Sequence, residues 1–345
     1  GSMSPLSAVA EHIAQARQMD DGSLTLPWSS FADFFKSRVY DRRLVNRPFL
    51  TYYDDDRQLH CTYSYAEFGT VVQRTATFLH DQVGVRRGDR LATILFNHDV
   101  TVVLYFAAWI SGITVVPINV EEPTDKKRFI LEHSEASAVC CWHSYVEEVK
   151  GLQRNLPALR HVIALNVDGF MENKSQGTRG ETRQGPLAHG HASHAGLLED
   201  EVLIVYTSGT TGPSKGVVLT VENLLTDADA IADWHHFGVN DRLMCVLPIH
   251  HVNGTVVTLV TSFYCKASVV LNRKFKSATF WRRLHEEHVT CVSVVPTLLE
   301  FLLDANEDIS SYQLDRFKGF ICGAGPLLKE TAIRFEDRFR FPIRH

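Results

Sequence analysis

The chain has 345 residues, of which 45% are hydrophobic and 22% are charged, and its formal net charge at pH 7 is −5. This length exceeds what one hydrophobic core normally serves, so two subdomains are expected. The acidic balance excludes the basic surface that typically binds nucleic acid or an anionic membrane.

The N-terminal segment and the cysteines predict a cytoplasmic protein. Residues 1–27 are interpreted as a tag, with Gly1-Ser2-Met3 as a cloning scar, and an N-terminal extension that lacks the zones of a signal peptide. The seven cysteines form an odd set without C-x-x-C spacing. This pattern predicts buried free thiols in a reducing compartment, and no metal site is expected from them.

Strands and helices alternate through the first part of the chain. A strand over 91–96 precedes the apolar stretch 100–118, which is hydrophobic enough for a membrane span. Ser111-Gly112 and Pro117 interrupt that stretch, so a buried helix over 102–110 and a buried strand after it are favoured. The alternation continues with a helix over 125–134, strands over 138–142 and 161–165, and a helix between those strands.

Short apolar runs separated by helices are typical of parallel strands covered on both faces. The predicted fold class is therefore α/β, with two doubly wound, mainly parallel sheets and helices on their faces. Residues 171–196 are rich in Gly, Ser, Arg and His and are predicted to be a flexible linker, in which His189, His191 and His194 are solvated. The predicted boundaries are 28–200 for the first α/β region and 201–345 for the second.

The second region repeats the alternation. Its predicted helices cover 221–234, 254–264, 278–288, 297–305 and 327–339. Its predicted strands after 202–206 and 217–219 cover 243–247, 267–271, 290–295 and 319–322.

A turn rich in glycine and hydroxyl groups joins the runs 202–206 and 217–219. It reads Thr-Ser-Gly-Thr-Thr-Gly-Pro-Ser-Lys-Gly from Thr207 to Gly216. Glycines let backbone N–H groups approach an anion, and the hydroxyls and the lysine add donors and positive charge, so a polyphosphate cradle is predicted. The spacing differs from that of a P-loop. The candidate phosphate-binding residues are Thr207, Ser208, Gly209, Thr210, Thr211, Gly212 and Lys215.

Two further motifs follow predicted strands. The first reads Pro-Ile-His-His-Val-Asn-Gly over 248–254, at a strand end where ligand-binding residues gather in open α/β sheets. The second, Cys-Gly-Ala-Gly-Pro over 322–326, has small residues that let a planar group lie against the backbone. The alternatives are that His250 or His251 only caps a helix, and that the second motif is an ordinary turn. Cys322 is not expected to be a nucleophile, because no base lies beside it in sequence.

The three motifs, in this order, resemble those of the adenylate-forming superfamily, which comprises acyl- and aryl-CoA synthetases, adenylation domains of non-ribosomal peptide synthetases and beetle luciferases. The resemblance covers about residues 28–345. It implies that the loop holds the β- and γ-phosphates of ATP. It also implies that residues near 66–235 form one sheet region and that residues 28–62 pack with 236–345. It further implies an acyl pocket lined by His251, Asn253 and Gly254, with His251 as the catalytic candidate, and an adenine and acyl border at Gly323, Ala324 and Gly325.

The resemblance implies an ATP-dependent acyl-CoA synthetase of the fatty acid–CoA ligase type, using ATP, Mg²⁺ and coenzyme A. Its expected partners are a carboxylic acid, ATP and coenzyme A, with no nucleic acid and no transmembrane segment. Amino-acid-activating relatives carry an acidic residue in the motif at 248–254, and this chain has none there, so an acid without an α-ammonium group is expected. An aryl-acid ligase, an acyl-AMP ligase that loads a carrier protein, and a natural truncated ligand-binding protein remain alternatives.

Superfamily members continue with a magnesium-binding glutamate, a ribose-binding aspartate and a mobile domain that carries a catalytic lysine. These segments are not found before His345, where the given sequence stops. The expectation is therefore an N-terminal portion of the enzyme whose activity in isolation is weak or absent.

Overall fold

The computed structural model describes residues 25–175, 197–207, 214–322 and 329–344. The chain forms two compact units. The N-unit comprises Leu26–Asn46 and Tyr65–Leu224, and the C-unit comprises Arg47–Ser64 and the described chain from Leu225 onward. Each unit contains one seven-stranded sheet, called sheet I in the N-unit and sheet II in the C-unit.

The described strands are β1 (Pro48–Asp54), β2 (Leu59–Ser64), β3 (Arg90–Ile94), β4 (Thr114–Ile118), β5 (Ala138–Trp142), β6 (His161–Leu165), β7 (Met171–Asn173), β8 (Glu201–Tyr206), β9 (Gly216–Thr220), β10 (Arg242–Cys245), β11 (Ser268–Asn272), β12 (Cys291–Val294), β13 (Gly319–Cys322) and β14 (Ile343–Arg344).

The described α-helices are α1 (Phe31–Val39), α2 (Tyr65–Thr77), α3 (Asp99–Ile110), α4 (Thr124–His133), α5 (Val146–Gln153), α6 (Val221–Trp234), α7 (Thr261–Tyr264), α8 (Ser277–Glu286), α9 (Pro296–Ala305) and α10 (Lys329–Phe339). Two π-helical segments, Phe78–Val83 and Asn253–Val260, and a 3₁₀ turn at His143–Tyr145 complete the set.

The predicted fold class is confirmed by the strand pairing. Sheet I has the order β7-β6-β5-β3-β4-β8-β9. The strand at each edge, β7 or β9, pairs antiparallel with its neighbour, and all other neighbours pair parallel. Sheet II has the order β14-β13-β12-β10-β11-β1-β2, and its antiparallel pair is β1 with β2. The central strands are buried apolar runs, as expected for parallel strands covered on both faces.

The apolar stretch 100–118 folds as the two predicted elements, helix α3 and strand β4. Nearly every residue of α3 is buried, and its Trp109 indole Nε1 donates to the Val202 carbonyl oxygen at 2.9 Å. This bond ties the helix to β8. Among the residues described, no helix has both the length and the apolar character to cross a bilayer.

Two of the predicted boundaries are corrected by the structure. The boundary at residue 200 is wrong, because β8 and β9 belong to sheet I, where Leu203 of β8 pairs with Val115 of β4. The expectation that all of 28–62 packs with 236–345 is wrong for α1, which belongs to the N-unit. Its Phe31 ring packs edge-on against Phe106 and Trp109 of α3. These aromatic contacts bury more apolar surface than the short helix could bury alone.

The predicted linker begins with ordered structure. Strand β7 at its start pairs antiparallel with β6, as in Leu165 opposite Met171. Residues 176–196, with the three linker histidines, lie outside the described residues.

Candidate functional site

The β8–β9 hairpin carries the predicted phosphate loop. Four consecutive residues of β8 are buried, and the strand is fixed to its neighbours by Thr114 Oγ1, which donates to the Glu201 carbonyl oxygen at 2.9 Å. The loop therefore starts from a rigid strand end.

The two ends of the loop meet at its base. The Thr207 N–H donates to the Lys215 carbonyl oxygen at 3.3 Å, directly after the pair formed by Tyr206 and Gly216. A Cβ atom on Gly216 would lie 3.0 Å from Ile204 Cγ2, so glycine fits the close crossing best. Thr207 is half-buried and Lys215 is exposed. The other predicted loop residues, Ser208, Gly209, Thr210, Thr211 and Gly212, lie outside the described residues.

An aromatic and histidine contact supports the same strand end. The Tyr206 hydroxyl lies 2.7 Å from His133 Nδ1, at the end of α4. Desolvation raises the pKa of Tyr206 above its ordinary value, so the phenol stays protonated at neutral pH. Tyr206 directly precedes the loop motif, but nothing in the sequence pointed to His133 as its partner.

The His250-His251 segment lies in the C-unit, between β10 and the π-helical segment Asn253–Val260. The two imidazole rings are 4.2 Å apart between centroids. The His251 side chain is exposed, whereas His250 is half-buried with its Nε2 atom enclosed. Desolvation, followed by the nearby His251, lowers the pKa of His250 to about 3, so its ring is neutral at physiological pH.

Asn253 and Gly254 open the π-helical segment. A Cβ atom on Gly254 would lie 2.7 Å from the Pro248 carbonyl oxygen, so glycine lets the helix start lie against the Pro248 turn. The Asn253 side chain is 4% exposed and its Oδ1 accepts a hydrogen bond of 3.1 Å from the Ser293 hydroxyl on β12. Ser293 was not identified from the sequence, because a lone serine within an apolar run carries no signal of its own.

The third motif follows β13, whose last residue Cys322 pairs with Val294 of β12. Burial raises the pKa of the Cys322 thiol to about 11, so this thiol is protonated at neutral pH. Gly323, Ala324 and Gly325 lie outside the described residues.

A comparison with known protein families shows to which family the chain belongs. The family of AMP-binding enzymes matches residues 38–345, which is most of the chain. The chain belongs to this family. The motif order that suggested adenylate chemistry is therefore found in a chain of AMP-binding enzyme type.

The curated relatives compared with the chain are CoA ligases. A sulfoacetate–CoA ligase from Cupriavidus necator is 30% identical over 223 residues, which cover 64% of this chain and 42% of the relative. The 4-coumarate–CoA ligase 3 of Arabidopsis thaliana is 27% identical over 275 residues, covering 78% of this chain and 47% of the relative. The chain thus spans about half the length of the curated relatives it matches.

A solved structure shares the fold of the AMP-binding enzyme. The crystal structure of apo MatB from Rhodopseudomonas palustris superposes with a TM-score of 0.73 at 22% identity, covering 90% of this chain and 58% of MatB. At this level of identity the likeness supports the two-sheet fold.

The described residues of this AMP-binding enzyme contain no group of three or more His, Cys, Asp or Glu side chains placed to hold a metal ion. The seven cysteines are free, and five of them are buried. The predicted site residues that the structure describes are therefore those at the base of the predicted phosphate loop in the N-unit and those of the turn over 250–254 in the C-unit.

Proposed function

We propose that the chain is the N-terminal portion of an ATP-dependent acid–thiol ligase of the acyl-CoA synthetase type. The observation that carries this proposal is the loop from Thr207 to Gly216, mounted on a rigid hairpin in a chain of the AMP-binding enzyme family. The parent reaction would join a carboxylate to the α-phosphorus of ATP with loss of pyrophosphate. The thiol of coenzyme A would then displace AMP to give the thioester.

The loop suits the departure of pyrophosphate. Attack of one anion on another requires donors and positive charge around the phosphates. The proposed donors are the hydroxyls and backbone N–H groups from Thr207 to Thr211, with the Lys215 ammonium group. The hydrogen bond that joins Thr207 to Lys215 holds the two ends of this donor set together before ATP arrives.

The proposed roles of the other candidates follow the same reaction. His251, exposed after β10, would contact the carboxylate or gate its pocket, with Asn253 and Gly254 in the pocket wall and Gly323, Ala324 and Gly325 beside adenine. Mg²⁺ would neutralise phosphate charge when bound. None of the described residues is assigned to Mg²⁺, since they show no cluster of suitable ligands.

The proposed substrate is a carboxylic acid without an α-ammonium group. No acidic residue is present in 248–254, and the His250 ring is neutral, so this turn offers no charge to pair with an ammonium group. The relatives are named for acids as different as sulfoacetate and 4-coumarate, so the fatty-acid type is one of several candidate classes for the acid. The expected cofactors are ATP, Mg²⁺ and coenzyme A, with a carrier protein as the alternative acceptor.

The test is acid-dependent exchange between pyrophosphate and ATP, measured on the intact protein with a panel of aliphatic, aryl and amino acids. We expect exchange with at least one acid that lacks an α-amino group. Lys215→Gln should raise the KM for ATP by about 10- to 100-fold, the size of one lost charge-assisted hydrogen bond. The matched control is Lys274→Gln, which removes an exposed lysine whose partner is Asp56 in the C-unit.

Two results would overturn the proposal. One is exchange supported by amino acids alone, which contradicts the assignment of the acid. The other is an unchanged KM for ATP in Lys215→Gln, equal to that of the Lys274→Gln control, which contradicts the role of the loop. The chain 1–345 by itself should bind ATP weakly and support little exchange.

A further inference from the structure

Two buried polar atoms in the turn between β10 and the π-helical segment lack partners. Asn253 Nδ2 and His250 Nε2 are both enclosed, and neither has a hydrogen-bond partner among the residues that the structure describes. An unpaired buried donor or acceptor has lost its hydration without gaining a compensating hydrogen bond, and this destabilises the folded state. Such groups are uncommon in folded proteins and call for a specific explanation, such as a ligand or an ordered water.

The Asn253 side chain and the backbone on either side of it are held by contacts of their own. The Ser293 hydroxyl occupies one end of its amide, at 3.1 Å from Oδ1. Gly254 lies against the Pro248 carbonyl group, and the Thr255 hydroxyl donates to the Ile249 carbonyl oxygen, so the start of the π-helical segment is fixed on the turn. A π-helical segment is itself a rare conformation that recurs at functional sites.

The turn is electrically neutral. Residues 248–254 include no Lys, Arg, Asp or Glu, and His250 stays uncharged at physiological pH because burial disfavours its cation. A second carboxylate or a sulfonate on the substrate would require a cation at such a buried position. A hydroxyl group requires none.

A hydroxyl group also has the right hydrogen-bonding capacity. It donates and accepts, so it pairs with the amide of Asn253 in either orientation. An aliphatic chain beside this amide would leave it unpaired on that side.

Resting on the ligase function proposed above, we infer that Asn253, positioned by Ser293, is a specificity-determining residue that selects acids carrying an uncharged hydroxyl substituent over the corresponding plain hydrocarbon acids. A site built to hydrogen-bond a hydroxyl rejects the analogue that lacks it, because the protein group is then left unpaired. Ser293 acts through Asn253 as a positioning residue.

The experiment compares matched acids with the intact protein. The pairs are 4-hydroxybenzoate with benzoate, 4-hydroxyphenylacetate with phenylacetate, and 3-hydroxybutyrate with butyrate, and kcat/KM is measured by pyrophosphate exchange. We expect at least one pair in which the hydroxylated acid is preferred by about tenfold or more. Asn253→Leu should lower that preference by about 10- to 100-fold, and Ser293→Ala by about 3- to 10-fold, chiefly through loss on the hydroxylated acid.

The control variant is Asn155→Leu, at an exposed position of the N-unit, which should leave the preference unchanged. Equal kcat/KM for both members of every pair in the wild type would overturn the inference while leaving the ligase function standing. So would a uniform loss on both acids in the Ser293→Ala variant, since that indicates a structural role. If no acid of any class supports exchange, the proposed function fails and this inference fails with it.

Discussion

The two sheets differ in where their strands come from. Sheet I takes every strand from the single stretch Tyr65–Leu224, whereas sheet II takes β1 and β2 from Arg47–Ser64 and its other strands from beyond Leu225. Strands that follow one another through helices can assemble by successive local crossings. An edge inserted from a distant part of the chain must instead be fixed by contacts of its own.

Those contacts are ionic in the C-unit. Strand β1 ends at Asp54, and Asp55 and Asp56 follow in the turn after it. Asp55 accepts two hydrogen bonds from Arg283 of α8, at 2.7 and 3.0 Å, and Asp56 pairs with Lys276 and with Lys274. The inserted edge is thus attached to the body of sheet II by charged side chains as well as by its backbone ladder.

The N-unit contains a smaller counterpart. Lys127 of α4 is fully buried, with its ammonium group 2.7 Å from Glu148 of α5 and 4.5 Å from the centre of the Tyr145 ring. This pair joins two helices that are neighbours in sequence. The contact between Arg283 and Asp55 thus joins segments far apart in the chain, whereas that between Lys127 and Glu148 joins neighbours. The following predictions test what this difference means for stability.

The largest effect is expected at Gly319, the first residue of β13. Its φ is +127°, and a Cβ atom would lie 2.4 Å from the Pro342 carbonyl oxygen, which accepts the hydrogen bond from Phe320 N–H beside β14. Gly319→Ala should lower the free energy of unfolding by about 3–5 kcal/mol, from backbone strain and overpacking together. Urea denaturation of the variant and the wild type measures this difference in the free energy of unfolding. Gly151→Ala, in α5 with nothing near its Cβ, should be neutral or stabilising, and equal losses in both variants would contradict the prediction.

The second effect tests the anchoring of the inserted edge. Arg283→Met removes the bidentate partner of Asp55, the hydrogen bond to Asn272 Oδ1 and the cation over the Tyr53 ring. Because Asp55 can regain water, we expect a loss of about 2–3 kcal/mol, less than for a fully enclosed pair. Lys127→Met in the N-unit should lower the free energy of unfolding by less. Glu148 is partly exposed and keeps its hydrogen bond from Thr124. A larger loss from Lys127→Met would reverse the comparison between the units.

The third effect is the acid sensitivity of the contacts that Asp55 and Asp56 make. The hydrogen bond from Arg283 lowers the pKa of Asp55 below its ordinary value of 3.8, and hydrogen bonds from Lys276 and Lys274 lower that of Asp56 to about 2. A carboxylate with a depressed folded-state pKa contributes stability that is present above pH 3.8 and is lost as the pH falls toward 2. Asp55→Asn should therefore be less stable than the wild type at pH 6, with a smaller difference at pH 2.5. A constant difference between urea midpoints at the two pH values would exclude this coupling.

The smallest effect is a difference in thiol reactivity. Cys140 and Cys141, the two cysteines of the N-unit, are buried, and burial raises the pKa of Cys141 to about 12. Cys61 and Cys265 of the C-unit are half-buried. In the native protein a thiol reagent should modify these two first, as read by peptide mass spectrometry, and leave Cys140 and Cys141 unmodified. Early modification of Cys140 or Cys141 would show that the N-unit opens more readily than its burial indicates.

Much of the alternation could be predicted from the sequence. The helix predicted over 221–234 is α6, and the strand predicted over 138–142 is β5, because long amphipathic or short apolar runs fix their own local structure. The helix predicted over 254–264 is only partly right. Its first part is π-helical, and packing of Gly254 on the Pro248 turn accompanies that conformation.

For the candidate site, the sequence supplied the residue types and their order, while their environments required the fold. His250 and His251 look alike in sequence, yet one has an enclosed nitrogen and a pKa near 3, and the other is exposed. Ser293 could be identified only from the structure, in which β12 brings its hydroxyl group within hydrogen-bonding distance of Asn253. Burial and partner distances arise from segments far apart in the chain, so no local pattern could reveal them.

The sequence alone determined the α/β class, the glycine- and hydroxyl-rich loop and its place between two apolar runs, because strand periodicity and turn chemistry are local properties. Only the tertiary structure decided that α1 packs on α3, that Leu203 of β8 pairs with Val115 of β4, and that β1 pairs with β11. Strand pairing and aromatic packing depend on the free energy of contacts between distant segments, which the order of residues does not display.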